Sequence, residues 1–540
     1  MTSSHRRRSF SFDRASAGAG AIGLLLLMTA GCDSADALCQ RSDCSFTEVE
    51  WTRLSALAGL GPPAADPANR LTDPANRGDA DPAQALDAAE RLGQMFYHDP
   101  RFSGVATQVD ISGRRMAQPA RAPIGQPIMI ACVTCHDLRA GGIDVTSVPG
   151  HVSVGAGWYD VNAQSTINAA QFSLKYWNGR YESLVWQIIA VAESTVSMNG
   201  TRLAVAWTIN DYYRNAYNAV FGDEFPFPEF GRTADEQAAL LEADGQCRLV
   251  AGVCPTGNDC RVVDEGCWPR WPLTGKPDQA GFERMSEEDQ TTITRVYVNW
   301  AKAIAAFEFR LTSGTAPFDR WIRDPDGQPL SASAQRGARL FVGKASCIEC
   351  HNTPLFSDGH FYNVGVPQRG VGVPTEAECT QDGPCLAHGW YQGLQVLQNA
   401  GTRDDLNRRF RNDSPWSDNP EDPTGQPLYD LPVTDDLRGS WRTPSLRQVS
   451  QTAPYMHNGF YRSLEEVVRH YNQGGTQEGS ASQFMSKRIR PLGLTNQEIS
   501  DLVAFLESLT AERFAAEELA EEAGEVLDLR TPPSLPPDRN

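Results

Sequence analysis

The sequence Cys-X-X-Cys-His occurs twice, as Cys132-Val133-Thr134-Cys135-His136 and as Cys347-Ile348-Glu349-Cys350-His351, and no other feature restricts so tightly what the chain can fold around. Two thiols in this spacing can add to the two vinyl groups of one haem while the next residue swings its imidazole onto the iron. A structural zinc site and a redox dithiol are the competing readings. Zinc ribbons place their two cysteine pairs about 15 to 20 residues apart, whereas about two hundred residues separate these. A thioredoxin-like pair needs no histidine. The motifs therefore predict two covalently bound c-type haems, with His136 and His351 each on an iron.

At the N-terminus Arg6, Arg7 and Arg8 precede the apolar run Ala21 to Met28, followed by Thr29-Ala30-Gly31-Cys32. Residues 1–31 read as a signal peptide, with a basic region, a short apolar stretch and small residues before the cut. Small residues directly before a cysteine resemble a bacterial lipobox, which makes Cys32 the lipidated first residue of the mature chain. Arg7-Arg8-Ser9-Phe10 faintly resembles a twin-arginine signal, but haem is attached to an unfolded chain after export, which favours general secretion. The expected location is the periplasm or cell envelope, with the Cys32 lipid as the membrane contact.

The thirteen cysteines divide without remainder once Cys32 takes the lipid and four take haem. The other eight fall in local sets: Cys39 with Cys44, Cys379 with Cys385, and the group Cys247, Cys254, Cys260 and Cys267. In an oxidising compartment these are expected disulfides, with three connectivities open inside the group of four. The formal charge of −19 argues against nucleic acid and for a basic redox protein as partner.

The 540 residues suffice for two or three domains. Residues 32–86, rich in Ala, Pro, Asp and Asn, read as a tether. An N-terminal haem domain is expected over 87–325, with a disulfide-rich insertion near 245–268, a C-terminal one over 326–512, and an acidic, Pro-rich surface tail over 513–540. Ser286 caps a segment in which Ile293, Val296, Trp300, Ile304, Phe307 and Leu311 form one apolar face, and Thr495-X-X-Glu498 opens another helix bearing Ile499, Leu502, Leu506 and Leu509. Strand signals are few and short, so the class is mainly α, with long loops. No apolar run beyond the leader approaches the length of a membrane span.

From about Asp87 to Thr510 the chain resembles the bacterial di-haem cytochrome c peroxidases and the related MauG enzymes. The matching blocks are Leu92 to Ser103, the first haem motif, Trp177-Asn178-Gly179-Arg180, Arg336-Gly337 through Leu340-Phe341, the second haem motif with Phe356-Ser357-Asp358 and Asn363 to Val366, Arg442-Thr443-Pro444-Ser445-Leu446-Arg447, and Ala453 to Gly459. The resemblance implies two cytochrome-c-like haem domains, an N-terminal haem where peroxide reacts and a C-terminal haem that relays electrons.

The sixth ligands decide what each iron can do. Ser463-X-X-Glu466 caps a short helix with Leu464, Val467, Val468 and Tyr471 on one face and Gly474-Gly475 at its end; His470 points about 100° away. Fourteen residues beyond His457, Tyr471 stands at the position that resembles the axial Met of the peroxidases and the axial Tyr of MauG. A phenolate there would stabilise oxidised iron, while a core tyrosine is the bland alternative. For the first haem the candidate is His151, on a Gly-containing loop from which it could be released; a solvated loop histidine is the alternative. By the same resemblance Trp177 lies between the haems and Gln187 is a distal residue. Where a catalytic glutamate is implied, just before Met198, this chain has Ser197, whose hydroxyl can hydrogen-bond but not act as a base near neutral pH; Glu193, one turn earlier if the segment is helical, is the substitute. A calcium ion is also implied, with Asn162, Thr452 and Pro454 at the matching positions.

The expected function is therefore that of a di-haem oxidoreductase. It would reduce hydrogen peroxide with electrons from a small cytochrome c or cupredoxin, or use peroxide to oxidise a protein or organic substrate. An electron-transfer cytochrome with both irons closed is the rival, and a di-haem oxygenase a third possibility.

Overall fold

The computed structural model describes residues 46–73, 86–110, 120–146, 153–159, 161–256, 259–368, 389–401, 409–422, 426–476 and 484–537. His151, Cys32, Cys39, Cys44, Cys379 and Cys385 lie outside these residues. Helices dominate, and those that build the cores and the site are, in chain order, α1 (Glu48–Ser55), α2 (Ala88–His98), α3 (Leu184–Glu193), α4 (Arg202–Thr208), α5 (Glu287–Glu308), α6 (Ala332–Val342), α7 (Trp390–Gly401), α8 (Leu464–Gln473), α9 (Asn496–Glu507) and α10 (Ala515–Glu522). Their starts follow from local chemistry. The Ser286, Ser463 and Thr495 side chains each accept from the backbone N–H three residues on, satisfying a donor that the first helical turn cannot pair.

Two apolar cores result. In the first, α5 is buried along almost its whole length, with Ile293, Val296, Trp300, Ile304 and Phe307 packed against α2, α3 and α4. In the second, α6 and α9 pack through Ala338, Phe341, Ile499, Leu502 and Phe505. Each core contains one unusually close helix crossing. A Cβ on Gly93 of α2 would sit 1.9 Å from the Ala303 carbonyl oxygen of α5, and one on Gly337 of α6 would sit 2.0 Å from the Asp501 carbonyl oxygen of α9. Only a residue without a side chain permits these approaches.

Among the described residues the strands form two small antiparallel pairs. β1 (Cys260–Val263) pairs with β2 (Gly266–Pro269), and β3 (Phe361–Tyr362) pairs with β4 (Trp441–Arg442). The first hairpin belongs to the cysteine-rich insertion, where the disulfides are Cys247–Cys260 and Cys254–Cys267, one of the three pairings open to the sequence. Among the described residues no helix is long and apolar enough to cross a membrane.

Two expectations are corrected. Residues 46–73, read as part of a tether, are folded: Phe46, Trp51, Leu54 and Leu57 are buried in the second core, and the Trp51 ring meets Trp321 edge-on at 5.2 Å. Composition pointed to a linker because the anchors are few and widely spaced among Ala, Pro and Asp. The segment read as a surface tail is also docked. Phe514 and Leu529 are fully buried, and the Ala515 N–H donates to the Thr312 carbonyl at 2.9 Å. Two aromatic or aliphatic anchors sufficed where the acidic composition suggested none.

The N-terminal segment is held by a buried ion pair. Arg447 donates from Nη1 and Nη2 to the two Asp319 oxygens at 2.8 and 3.0 Å, and from Nη2 to the Leu57 carbonyl at 3.3 Å. Asp319 also accepts from the Gly59 N–H at 3.0 Å. Burial alone would raise the Asp319 carboxyl, but the Arg447 hydrogen bonds and charge outweigh it and hold it below its ordinary value. A depressed folded value adds stability that is fully present above the unfolded value of about 3.9 and is lost as pH falls through the folded one. Asp319→Asn, which leaves Arg447 buried without its counter-charge, should cost about 3–5 kcal/mol at pH 7 and flatten this acid limb; denaturant unfolding at pH 7 and below pH 4 measures both.

Candidate haem-binding cavity

A single cavity is lined by Cys132, Cys135 and His136 of the first motif and by Cys347, Cys350 and His351 of the second. All four thiols are free. Burial pushes Cys135 and Cys347 up to about 12, raises Cys132 further, and raises Cys350 as well. They are protonated at neutral pH, the opposite of the lowered values that a redox dithiol requires. Zinc fares no better. Among the described residues the one group of metal-donating side chains gathered closely enough for an ion is Cys247, Cys260 and Cys267, and these are in the disulfides.

Both histidines are prepared as ligands. The His136 Nδ1 meets the Gly142 carbonyl at 3.2 Å and the His351 Nδ1 meets the Phe356 carbonyl at 2.6 Å. A carbonyl only accepts, so each Nδ1 carries the proton and each Nε2 keeps its lone pair. Burial lowers both imidazoles from their ordinary value, which keeps them neutral. Supports come from the close helix crossings. Tyr97, one turn beyond Gly93, donates to the His136 carbonyl at 2.9 Å and shares a hydrogen bond with Thr166 at 3.1 Å; Phe341, one turn beyond Gly337, has its ring 6.4 Å from that of His351.

The cavity also has a buried cationic patch that suits an anionic group. Arg442 is buried, its guanidinium lies 3.5 Å over the Phe172 ring, its Nε donates to the Tyr176 carbonyl at 3.3 Å, and its Nη1 has no partner among the described residues. Burial pushes it down to about 9. Lys175, pushed down to about 8 by burial, donates to the Phe172 and Ala169 carbonyls. Haem carboxylates are groups that these residues could hold. Paired thiols, neutral imidazoles and an open buried guanidinium together fit a c-type haem at each motif.

On the second-motif side, Tyr471 lines the cavity with no hydrogen-bond partner for its hydroxyl among the described residues. Burial and the nearby Cys350 and Cys347 thiols push its phenol above the ordinary value. His470 is turned away, its Nδ1 bonded to the Tyr461 hydroxyl at 2.8 Å and its Nε2 to the Val364 carbonyl at 2.8 Å.

On the first-motif side, α3 brings Gln187 to the cavity wall, and the turn after it brings Ser197. The Ala156 N–H donates to the Ser197 carbonyl at 2.7 Å, and a Cβ on Gly155 would lie 2.3 Å from that same oxygen. Ser197 is thereby fixed against the loop that follows the residues containing His151. Glu193 does not line the cavity, which corrects its reading as a substitute base. Its carboxylate is held by Arg202 through Nε at 2.9 Å and Nη2 at 3.1 Å, an ion pair that occupies both oxygens.

Trp177 lines the cavity too, and its Nε1 donates to the Asn162 carbonyl at 2.8 Å. Asn162 in turn donates through Nδ2 to the Pro454 carbonyl at 2.7 Å, while Thr452 donates to the Val449 carbonyl at 3.1 Å. Asn162 and Pro454 are thus brought together, with Thr452 on the same cavity wall.

Several cavity residues were not singled out in the sequence. His457 stacks on Trp441 with ring centroids 4.0 Å apart, and burial pushes it down to about 3. Glu308, the last residue of α5, is pushed up to about 8 by burial, against the opposing charge of Lys175. Arg442 and His457 stood inside blocks of the family pattern. For Lys175 and Glu308 the only signal was a charge beside an apolar run.

A family model described as di-haem cytochrome c peroxidase matches residues 87–241. The cytochrome-c peroxidase IdrP1 of Denitromonas iodatirespirans is 32% identical over 383 residues, covering 70% of this chain and 76% of that protein. The methylamine utilization protein MauG of Methylorubrum extorquens is 33% identical over 210 residues, 39% of this chain and 43% of that one. Among solved structures, the diheme peroxidase BthA from Burkholderia thailandensis is similar in fold, with a TM-score of 0.50 and 18% identity over 85% of this chain and 96% of that one. The chain belongs to the di-haem cytochrome c peroxidase and MauG family of oxidoreductases.

Proposed function

We propose that the protein takes hydrogen peroxide as its oxidant at the first motif and receives electrons at the second from a small redox protein, a cytochrome c or a cupredoxin. In this reading His136 and His351 are the first axial ligands, Tyr471 closes the second site, and His151 is a releasable group at the first. The observation that carries it is the inequality of the two ends of one cavity. Among the described residues Tyr471 lines the cavity beside the second motif with no partner for its hydroxyl, and Gln187 and Ser197, neither of them a strong iron ligand, line the same cavity.

When bound, the haems supply the redox-active iron at which peroxide is reduced. The chain's own residues orient, exclude water and hold protons. Gln187 offers an amide and Ser197 a hydroxyl to an oxygen ligand, but neither takes up a proton near neutral pH. Glu193 is held by Arg202, and Glu308 already carries its proton at pH 7. Among the described residues the first site therefore has no positioned carboxylate base, a loss ordinarily worth about 10²–10⁴ in rate. In this reading Trp177, which lines the cavity and donates to the Asn162 carbonyl, is the aromatic bridge between the two ends. Tyr471 also supports a second reading, in which peroxide serves to oxidise a protein or organic substrate, because phenolate ligation favours oxidised iron.

An envelope location with lipid on Cys32 is part of the proposal, as is a calcium ion at Asn162, Thr452 and Pro454. An ion there would require the Asn162 amide to flip, giving up the hydrogen bond its Nδ2 donates to the Pro454 carbonyl so that its oxygen and that carbonyl both point at the ion.

In the fully reduced haem-loaded protein one haem should bind CO while the other stays six-coordinate; two low-spin haems indifferent to CO would make it an electron-transfer cytochrome instead. Tyr471→Met should raise the potential of the second haem and shift its absorption, and titration with no change in either would remove Tyr471 as a ligand. Ser197→Glu should increase peroxide turnover by a factor within about 10²–10⁴; an unaltered rate would mean that another group supplies the base.

A further inference from the structure

Beside the second motif, Arg488 and Arg490 line the cavity and are themselves exposed. Arg488 donates to the Glu349 carbonyl at 2.6 Å. Arg490 reaches the Glu349 carboxylate at 2.9 Å and the Ser346 hydroxyl at 3.2 Å. Next to them, Lys344 pairs with Glu498 at 2.8 Å, and Lys487 is exposed with no partner among the described residues. The rim thus gathers Lys344, Lys487, Arg488 and Arg490 against Glu349 and Glu498. Its charge is positive on a chain whose formal charge is −19.

We propose that this rim is the docking surface for a small acidic electron-donor protein. The inference rests on the reading of the second motif as the point of electron entry, and it reverses the partner charge that the whole-chain balance suggested. The reason is screening. At about 0.15 M ionic strength a charge is felt over about 8 Å, so a docked partner senses the rim rather than the distant acidic surface. Lys344 and Arg490 retain 45% and 50% of their side-chain exposure despite their ion pairs, so both remain available to a partner's carboxylates. Complementary rim charges of this kind govern encounter and orientation more than final affinity.

The test uses the haem-loaded protein and calorimetric titration at 0.15 M ionic strength with two probes, an acidic plastocyanin and a basic mitochondrial cytochrome c. The acidic probe should bind at least tenfold more tightly, weaken as salt is raised to 0.5 M, and lose at least tenfold in the Lys344→Glu, Lys487→Glu double variant. Lys487→Glu alone, at an exposed side chain with no hydrogen-bond or ion-pair partner among the described residues, should lose about threefold and guards against misfolding of the double variant. Tighter binding of the basic probe, or acidic binding indifferent to both variants, overturns the proposal. So does a charge-reversal effect confined to self-association or to phosphatidylglycerol vesicles, which would give the rim another occupant. Turnover of peroxide with hydroquinone, a neutral reductant, separately tests the functional reading on which the inference rests.

Discussion

The two helix crossings at Gly93 and Gly337 set the positions on which the rest of the molecule depends. In each, a glycine brings one helix onto the carbonyl of another, and the aromatic residue four positions later is delivered to the histidine of a Cys-X-X-Cys-His motif. Any side chain at the crossing would force the helices apart or demand strained rotamers. The aromatic support would retreat with them, and so would the ring nitrogen that has to meet an iron. The same local device, used twice, gives each motif a rigid backing while the loops between are free to diverge.

Divergence is what makes the two ends of the cavity chemically different. Beside the second motif the cavity is lined by a tyrosine on a capped helix whose neighbouring histidine is fully engaged elsewhere. Gln187 and Ser197 add an amide and a hydroxyl to the cavity wall, with Glu193 outside it and tied to an arginine. Electrostatics inside the cavity follow one rule throughout: burial neutralises. It keeps the thiols protonated, the imidazoles neutral and Glu308 protonated, and it leaves Arg442 as a cation with an unused donor.

The haem motifs, the long central helix and the caps at Ser286, Ser463 and Thr495 were legible because each is a local pattern with a local cause. The orientation of Tyr471 away from His470 was legible for the same reason, since helical periodicity fixes the angle between neighbours. Glu193 was misread because its partner, Arg202, lies beyond a turn that breaks the periodicity. The docking of residues 46–73 and 513–537 escaped because a few anchors such as Trp51 and Phe514 outweigh a long polar composition, and sequence averages hide single anchors. Lys175 and Arg442 come together only through the tertiary fold, and no spacing announces that.

The pairing in the insertion bears on how such a chain matures. Cys247–Cys260 and Cys254–Cys267 each close a loop of sequence separation 13, and short loops bring their ends together at low entropic cost. A chain that must oxidise some thiols and spare others faces a sorting problem while still unfolded. Here the thiols to be oxidised are one another's near neighbours along the chain, whereas the two motifs lie far from them and from each other. Proximity thus favours pairing within the insertion over pairing between it and either motif. Cys132 with Cys135 and Cys347 with Cys350, each pair three residues apart, are nearer still to one another, so their availability for haem depends on attachment or reduction outpacing their own closure.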